Sequence, residues 1–542
     1  MTIRSTLVSR AAVVSVGVAM SCTALTTLAQ WTSDPFNPVI VQGDTGDQGV
    51  PLVGAAPDGR TWVFYVDNFA AGGGGYKHAL QLMNADGTHA FTDAVVVSPN
   101  RTNSATFTVD LDVSVDGSAV MAYDNNGIYV QKVDLDGTQL WDDTVDGNLI
   151  PNSTGALGPQ VVATADGGAV VCWGSSATLN FQHVNADGSM GAAWQFTETG
   201  RAQSPSDMIR SGDDFILLWI RGETTSFLAR KGLKIQRWTT AGTQVWNGGV
   251  PMDVYTSQAT PGKSIQNGYF PRLVPDTTGG AIVAWYDNGA ARNAWLQHVL
   301  PMGVFRFAPE GLAVSTATSA TEYRLSAAVS YKLPEDLYTV AYERSNPLQS
   351  QYDLTAQRIN GTAQLLWGGG QGVQLTPTTG NHSSFVNVNP VGEDAIVTWL
   401  QYSGANGPMS VQSARLDASG TQVWATSPLI VAADYGSKSR LQTVLSSGGD
   451  FVVASWADGT AGNYDVMANR INFDGTIGQG SGSACPPCAA DYDNNGGVDG
   501  GDLAAFFGDF EAGEACADVD GNGGVDGGDL GFFFQVFEAG GC

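Results

Sequence analysis

Short apolar runs, separated by turns rich in glycine and aspartate, make up most of the chain before residue 478. Each run holds about five apolar residues, and the 3.6-residue periodicity of a helix is scarce before residue 500. Apolar runs of this length, bounded by glycine, predict β-strands that are buried on both faces. An aromatic residue that ends such a run recurs eight times, as Tyr65, Tyr123, Trp173, Trp219, Trp285, Tyr342, Trp399 and Trp456.

A second kind of strand follows most of these aromatic runs and carries an internal glutamine, often with a basic residue after it. Its copies lie at 130–133, 181–184, 235–238, 296–299 and 356–359, and, with the glutamine lost, at 413–416 and 468–471. An Asp/Asn/Gly turn then leads to a Gly-Thr-Gln-x-Trp segment, which is clearest at 137–141, 242–246 and 420–424. The chain is therefore a repeat array.

The length of the repeat predicts the architecture. The last three intervals between the terminal aromatics are about 57 residues each, which is enough for four short strands and their turns. Four-stranded units that cover each other's faces are the blades of a β-propeller, in which closure into a ring leaves only short edges exposed. We predict a mainly β fold, an eight-bladed β-propeller over residues 30–477, with seven blades as the alternative because the first and fourth repeats are irregular.

The two ends of the chain differ from this array. Residues 1–29 begin with the basic Arg4 and Arg10, continue through an apolar stretch and end in the small residue Ala29, which is the order of a secretory signal peptide. We expect an exported protein, in the periplasm, at the cell surface or outside the cell, and no later segment is long and apolar enough to span a membrane. A Gly/Ser linker at 478–484 precedes a separate module at 485–542.

The charge of the chain excludes one class of partner and singles out this module. The formal net charge is −27, which repels nucleic acid. Twelve Asp or Glu residues lie between 485 and 542, a stretch with no Lys or Arg. Such a cluster is either solvated or neutralised by a cation.

The spacing of these acids indicates a cation. Two twelve-residue segments, 491–502 and 518–529, carry oxygen-bearing side chains at positions 1, 3, 5, 9 and 12 and glycine at position 6. A loop of this kind wraps a hard cation, with the backbone carbonyl of position 7 as a further ligand. We predict two bound Ca²⁺ ions. The predicted ligands are Asp491, Asp493, Asn495, Gly497, Asp499 and Asp502 for the first ion, and Asp518, Asp520, Asn522, Gly524, Asp526 and Asp529 for the second.

Each loop leads into a segment whose apolar residues are spaced as in a helix, so the paired loops with one helix each resemble a type I dockerin. They resemble in particular the C-terminal modules of exported planctomycete-type proteins that carry a double Gly-Gly-Val-Asp-Gly-Gly-Asp segment. The resemblance covers about a tenth of the chain and implies calcium binding and docking to a cohesin. Loop positions 10 and 11, which often contact the cohesin in dockerins, are glycine pairs here at 500–501 and 527–528, so a cohesin-like partner and attachment to a cell-surface protein both stay open.

The cysteines fit an exported protein with a small module. Cys485, Cys488, Cys516 and Cys542 bracket the acidic segments, and we expect structural disulfides among them, with three pairings possible. Cys172 lies inside an apolar run, which predicts a small buried side chain.

No catalytic residue is predicted. His183 and His298 occupy a repeat position that is otherwise basic, which indicates a structural role, and His78, His89 and His382 have no evident partner. Acids follow three of the aromatic runs as Asp-Asn pairs, at 67–68, 124–125 and 287–288, and these pairs favour turns at one end of the propeller. No pattern in the sequence matches a nucleophile or a catalytic metal site.

Two functions are therefore open. The first is a non-catalytic binding or scaffold protein, whose propeller recognises a glycan or a protein and whose tail mediates attachment or assembly. The second, which rests on the dockerin resemblance, is a glycoside hydrolase or polysaccharide lyase of polysaccharide breakdown. Carboxylates from different blades in one deep pocket would favour the enzyme, whereas separate Asp-Asn turns on a shallow face would favour binding.

Overall fold

A computed structural model describes the chain over most of its length. The described residues are 30–43, 46–67, 76–101, 109–141, 146–258, 262–288, 292–317, 322–403, 408–433, 436–460, 463–479, 488–492, 498, 500–512, 515–519 and 525–540. The predicted signal peptide, at 1–29, and the linker residues 480–484 lie outside them. Within the described ranges no helix is long and apolar enough to cross a membrane.

The strands form eight four-stranded antiparallel sheets, and the first seven each use four strands that are consecutive in the chain. The first four sheets are β2 (Gly49–Ala55), β3 (Thr61–Asp67), β4 (Tyr76–Met83) and β5 (Val95–Arg101); β6 (Val109–Val113), β7 (Ala119–Asp124), β8 (Ile128–Val133) and β9 (Asn148–Leu149); β10 (Leu157–Ala163), β11 (Ala169–Ser175), β12 (Thr178–Val184) and β13 (Met190–Thr197); and β14 (Gln203–Ser211), β15 (Asp214–Gly222), β16 (Lys231–Trp238) and β17 (Met252–Tyr255).

The remaining sheets follow the same order until the last. They are β18 (Leu273–Pro275), β19 (Ala281–Tyr286), β20 (Ala294–Val299) and β21 (Leu312–Ala313); β22 (Tyr323–Lys332), β23 (Leu337–Ser345), β24 (Tyr352–Asn360) and β25 (Val373–Gln374); β26 (Ser383–Val391), β27 (Asp394–Tyr402), β28 (Pro408–Leu416) and β29 (Leu429–Ala432); and β30 (Ser437–Leu445), β31 (Phe451–Thr460) and β32 (Asn463–Asn472), joined by β1 (Val39–Gln42). Short 3-10 turns lie at Trp246–Gly249, Gly368–Gly370 and Ala515–Ala517.

The sheets are the blades of a closed ring. The first strand of every blade contacts the first strands of both neighbouring blades, and the last of these contacts joins β30 to β2. These strands are therefore the inner strands around the axis, and eight blades, not the alternative seven, complete the circle. The eight terminal aromatics lie in the second strands, so the apolar run that opens the repeat in the sequence is the second strand of each blade.

The last blade is completed by the N-terminal segment. Strand β1 pairs antiparallel with β32, with Val39 opposite Ala468, and so becomes the outer strand of the eighth blade. Neighbouring segments reinforce this closure, because the backbone N–H of Tyr464 donates to the Asp47 carboxylate at 2.9 Å. The first and last parts of the propeller are thus held together without a covalent bond.

The hydrophobic core is divided among the blade interfaces. Among the described residues, eight clusters of buried apolar side chains occur in the propeller, one between each pair of neighbouring blades. The second strands supply more of these side chains than any other strand of the blade, and all six residues of β7 are buried. The prediction of strands buried on both faces is confirmed, because each sheet is covered by a sheet on either side.

The Gly-Thr-Gln-x-Trp segments join one blade to the next. The Trp246 indole N–H donates to the Pro301 carbonyl oxygen at 2.9 Å, and the ring lies against Gly303, whose φ is +75°. A Cβ on that glycine would come within 2.5 Å of the indole. The same contact, which we call the Trp–Gly clasp, recurs in the pairs Trp31–Gly87, Trp141–Gly188, Trp246–Gly303, Trp367–Gly420 and Trp424–Gly475.

The repeated glutamine and basic residue also have structural partners. The side-chain oxygen of Gln236 accepts the backbone N–H of Trp246 at 2.9 Å, which fixes the clasp. The basic residue at this repeat position pairs with an Asp that lies in the turn between the first two strands or begins the second strand. These pairs are Lys132–Asp116, His183–Asp166, Arg237–Asp214, His298–Asp276 and Arg415–Asp394. His183 and His298 thus take the place of the basic residue in two of these pairs, and Cys172 is a buried free thiol.

The described part of the tail contains two α-helices, α1 (Gly500–Ala512) and α2 (Gly527–Ala539), where the sequence predicts one helix after each loop. Phe506 and Phe533 stack face to face, with ring centroids 3.9 Å apart and planes 1° apart. These two residues hold equivalent places in the two repeats, and so do Phe507 and Phe534, whose rings are 6.0 Å apart. Contacts between equivalent residues require the two halves to be related by an approximate twofold axis.

Candidate functional site

The C-terminal ends of the second strands meet at one side of the ring, which we call the second-strand face. Asp67 and Asp124 end their strands there, and Asp287 follows β19. Asp67 accepts a hydrogen bond from the Gln48 amide at 2.9 Å. Asp287 accepts from the Tyr255 hydroxyl and the Trp295 indole N–H, both at 3.1 Å.

Each of these Asp-Asn pairs makes its own local contacts, and the pairs do not form one shared site. Asp124 is fully buried, and Asn125 and Asn288 use their backbone N–H groups in local hydrogen bonds, to Gly127 and Ser264. Asn68 lies outside the described residues. Asp67 is bonded by Gln48, just before its own blade, and Asp287 by Trp295 of its own blade and Tyr255 of the neighbouring fourth blade.

The sixth blade carries an acid at this face that sequence reasoning missed, Glu343 in β23. Only 4% of this residue is exposed, and its carboxyl group accepts the backbone N–H of Ser383, from the seventh blade, at 2.7 Å. The His382 Nδ1 lies 3.6 Å away. Burial raises the pKa of Glu343 to about 8, repulsion by Asp353 adds to the shift, and the Ser383 N–H opposes it. The group is therefore mostly protonated at pH 7 and can donate a hydrogen bond.

Aromatic side chains surround Glu343 at the face. The His382 ring stacks on Tyr402 with centroids 3.7 Å apart and lies 5.6 Å from the ring of Tyr352. In the fifth blade, Tyr286 lies 4.3 Å from Tyr269. All five rings are partly exposed. We call this set, with Tyr323, the aromatic rim; its members are Tyr269, Tyr286, Tyr323, Tyr352, His382 and Tyr402.

The rim and the acid are electrostatically connected. Burial raises the pKa of Tyr286 and of Tyr352; the Glu343 carboxyl raises both further, and the guanidinium of Arg292 lowers both. Arg292 also lies over the ring of Tyr323, 5.1 Å from its centroid. Groups from the fifth, sixth and seventh blades therefore form one site, with aromatic faces, a cation and a buried acid.

The second carboxylate near Glu343 is already engaged. The Arg344 guanidinium holds Asp353, with its Nη2 2.9 Å from Oδ2 and its Nε 3.0 Å from Oδ1. The hydroxyls of Thr355 and Thr378 donate to the two oxygens at 2.8 and 2.9 Å. Hydrogen bonds therefore occupy both carboxylate oxygens of Asp353, and its role is structural.

Carboxylates from different blades also meet around the axis. Asp110 of the second blade accepts the backbone N–H of Val161 of the third at 2.9 Å, and Asp207 of the fourth accepts that of Leu273 of the fifth at 2.6 Å. Burial raises the pKa of Asp110 to about 7, with repulsion from Asp207 adding to it. These acids complete the hydrogen bonding of neighbouring inner strands, and their role is to join blades.

The predicted calcium ligands are only partly described. Asp491, Asp518 and Asp526 are partly or fully exposed, whereas Asp502 and Asp529, at position 12 of each loop, are fully buried in the first turns of α1 and α2. The predicted ligands Asp493, Asn495, Gly497, Asp499, Asp520, Asn522 and Gly524 lie outside the described residues. Within the described part, no group of three or more His, Cys, Asp or Glu side chains is arranged to hold a metal.

Two observations bear on whether the tail suits a hard cation. Asp502 and Asp529 are buried oxygen donors in a segment with no Lys or Arg to neutralise them. Asp526 and Asp529 also form a capping box, in which the Asp526 carboxylate accepts the Gly528 N–H at 2.7 Å. The two buried carboxylates, Asp502 and Asp529, are oxygen donors of the kind that Ca²⁺ takes. Cys488 and Cys516 are both disulfide-bonded.

Replacing Glu343 with Gln is expected to stabilise the protein at high pH. A folded pKa of about 8, above that of the unfolded chain, means that the folded state holds a proton which the unfolded state releases, so stability falls as pH rises from about 4 to 8. Gln cannot ionise and still accepts the Ser383 N–H. The variant should melt higher than the parent at pH 8 and equally at pH 4, as measured by calorimetry; an equal difference at both values would contradict the raised pKa.

The closed circle of eight four-stranded sheets defines an eight-bladed β-propeller. The chain matches no protein-family model and no curated protein sequence. It is similar in structure to the Dos1 propeller, with 9% identity over 80% of this chain and 95% of that chain and a TM-score of 0.42. It is also similar to the BP39L lectin from Burkholderia pseudomallei, with 12% identity, coverage of 72% and 100%, and a TM-score of 0.41.

A prolyl endopeptidase is similar at 12% identity and a TM-score of 0.40, over 76% of this chain and 55% of the endopeptidase. The chain thus spans about half the length of that protein. Because all three likenesses are distant, the fold assignment rests on the sheet order described above, and the function must be argued from the site itself.

Proposed function

We propose that the protein is an exported, non-catalytic glycan-binding propeller with a calcium-loaded, dockerin-like tail that mediates attachment or assembly. The ligand site is the aromatic rim over Glu343. Sugar rings pack their C–H faces on aromatic side chains, and their hydroxyls need donors and acceptors at the edge of the contact. The rim offers both within one site.

One observation carries the proposal: the His382–Tyr402 stack stands partly exposed, with Tyr352 beside it and the protonated Glu343 beneath. Stacked rings are held rigidly by each other, so a ligand that packs on them costs little conformational entropy in the protein. The Glu343 proton and the Arg292 guanidinium are donors at the same site. A bound sugar ring would pack on the aromatic faces and accept hydrogen bonds from these two donors through its hydroxyl groups.

The same geometry argues against a glycosidase. That reaction uses two carboxyl groups with different protonation, one as acid and one as base or nucleophile. Glu343 has the character of an acid, but Asp353, the carboxylate whose charge it senses, is bound by Arg344 and two threonine hydroxyls. A hydrolase or lyase activity is the competing outcome of the test below.

The tail part of the proposal rests on donor chemistry. Two buried carboxylates, one in the first turn of each helix, stand at the last position of two loops with calcium spacing. Asp502 and Asp529 would close the two sites, with the remaining ligands from the loops before them. The bound ions would neutralise the acidic segments and order the loop before each helix. A cohesin-like protein or a cell-surface protein is the proposed partner class.

Removing the rim is expected to weaken glycan binding at least tenfold. The variant His382→Ala/Tyr402→Ala deletes the stacked platform, and large aromatic contacts of this kind commonly contribute about 2 kcal/mol or more. The full chain in calcium buffer would be screened on an array of neutral and acidic polysaccharides and the hits quantified by titration. Phe36→Ala, at a residue 58% exposed outside the rim, is the matched control and should bind like the parent.

Two results would contradict the proposal. Unchanged affinity of the rim variant for every polysaccharide that the parent binds would exclude the rim as the site. New reducing ends or unsaturated products from those polysaccharides, absent with the Glu343→Gln variant, would replace the binding function by an enzymatic one.

A further inference from the structure

A polar cleft lies where the ring closes, between the outer strand β1 of the eighth blade and the first blade. Its volume is about 410 Å³, within the range of small-molecule sites. We call it the seam cleft. The side chains that the argument uses are Gln42, Tyr65, Asp67, Lys77, His89 and Asp93.

Irregular strand pairing borders this cleft. The register of β1 against β32 shifts between Ile40 and Gln42, and the register of β4 against β5 shifts on both sides of His78. Bulges of this kind bend a strand and redirect its side chains. The seam cleft is thus bordered by an irregular strand in each of the two blades that form it.

The cleft presents paired donors and acceptors. The Tyr65 hydroxyl donates to the Gln42 side-chain oxygen at 3.2 Å. The Lys77 ammonium lies 3.4 Å from the Asp67 carboxylate, and the lysine side chain is 45% exposed at the cleft. Pairs of this type can receive neighbouring hydroxyl groups of one ligand, one donating to the carboxylate and one accepting from the ammonium.

His89 adds a defined acceptor. Its Nε2 lies 3.1 Å from the backbone carbonyl oxygen of Ile40, and because a carbonyl only accepts, Nε2 carries the proton. Burial lowers the pKa of His89, so the ring is neutral at pH 7, and Nδ1 is the acceptor. The ring is therefore fixed in one tautomer by the strand that closes the propeller.

The charges and the size select the ligand class. Asp67 and Lys77 balance each other, Asp93 leaves the cleft slightly negative, and the whole chain is strongly acidic, so phosphate and uronate groups are disfavoured. The space suits one or two sugar rings. We propose that the seam cleft is a second carbohydrate site, which binds a neutral mono- or disaccharide unit through Asp67, Lys77 and His89.

This site is distinct from the rim, which belongs to the fifth to seventh blades, and it can exist whether or not the rim binds glycan. If both sites bind, one polysaccharide chain can engage the protein twice, and the second contact is intramolecular. Blocking the cleft should then lower the affinity for a polysaccharide at least tenfold, although the rim is intact.

The test measures the protection of Lys77. The full chain in calcium buffer would be reductively methylated with and without cellobiose, mannobiose, xylobiose, galactobiose or arabinobiose, and the modification of each lysine read by mass spectrometry. We expect at least one disaccharide to slow labelling of Lys77 fivefold or more while Lys332, on the sixth blade, is labelled at an unchanged rate. The variant Thr92→Trp, which fills the exposed edge of the cleft, should abolish this protection, and Thr92→Ser should retain it.

The outcomes separate the two sites. Failure of all five disaccharides to protect Lys77, or full protection in a Thr92→Trp variant with the parent's melting temperature, would overturn the seam site. Protection of Lys77 that persists in the His382→Ala/Tyr402→Ala variant supports the seam site even if that variant shows the rim proposal to be wrong.

Discussion

Replacing Gly303 with valine should destabilise the propeller by about 4 kcal/mol. A Cβ at this position would meet the Trp246 indole at 2.5 Å, and a β-branched residue is strained at the glycine's φ of +75°. Overpacking costs about 1–3 kcal/mol, and a left-handed backbone adds roughly 1–2 kcal/mol. For a domain of this size that corresponds to a fall of about 4 °C in melting temperature, measurable by scanning calorimetry.

Gly212→Val is the matched control for backbone strain. Gly212 has a similar φ of +66°, and nothing lies within 4 Å of an added Cβ, so only the backbone strain of about 1–2 kcal/mol applies.

A double variant tests the contact between Trp246 and Gly303 itself. Gly303→Val combined with Trp246→Ala should cost at least about 1 kcal/mol less than the sum of the two single changes, because the clash has lost its partner. Strict additivity would show that the Trp–Gly clasp does not join the blades.

Removing calcium should unfold the tail and leave the propeller folded. The small cluster around Phe506 and Phe533 is the hydrophobic core of the described part of the tail, and Asp502 and Asp529 are buried beside it. Without cations their burial is costly, and each ion at a hundred times its Kd contributes about 2.7 kcal/mol. In hydrogen–deuterium exchange of the full chain, EGTA should raise exchange in α1 and α2 at least a hundredfold, with the propeller unchanged.

Variants make the calcium experiment specific. Asp529→Asn keeps the shape of the capping residue but removes a ligand charge, so at least tenfold more calcium should be needed to protect α2. Glu538→Gln, in the exposed last turn of the same helix, is the control and should behave like the parent. Equal exchange in α1 and α2 with and without EGTA would contradict calcium binding by the tail.

The architecture could largely be predicted from the sequence, because each blade buries its second strand on both faces. That burial demands an uninterrupted apolar run, as in β7 and β19, and the run marks each blade. The inner strands could not be predicted in the same way, because one edge of each faces the axis and its sequence mixes apolar and polar residues. In β6, for example, Asp110 lies between Val109 and Leu111, and its carboxylate accepts a hydrogen bond from the backbone of the next blade.

The closure of the ring had no local signal. Strand β1 has four residues, too few to show a pattern, and its partner β32 lies more than 400 residues further along the chain. Pairing over such a distance is set by the tertiary structure, which only the assembled ring supplies. The same holds for the clasp: the sequence shows the tryptophan and the glycine of each repeat but not that they belong to different blades.

The candidate site was missed for a related reason. Glu343 stands in a Tyr-Glu-Arg segment, unlike the Asp-Asn pairs, and its altered pKa comes from burial against Ser383 of the next blade. His382 had no partner in the sequence, because Tyr402 and Tyr352 lie on other strands. A signal was present only in the spacing: Glu343 directly follows the terminal aromatic Tyr342, at a position that most other blades fill with an apolar residue, such as Ile220 or Leu400.

The outer strand β1 also restricts how the protein can be shortened. A chain that began after Gln42 would keep seven complete blades but leave β32 as an unpaired edge, with its backbone N–H and C=O groups open to any other strand. It would also lose Trp31, which makes the clasp to the first blade. Removing the residues up to Gln42 would therefore convert a self-contained ring into a template for strand exchange and aggregation.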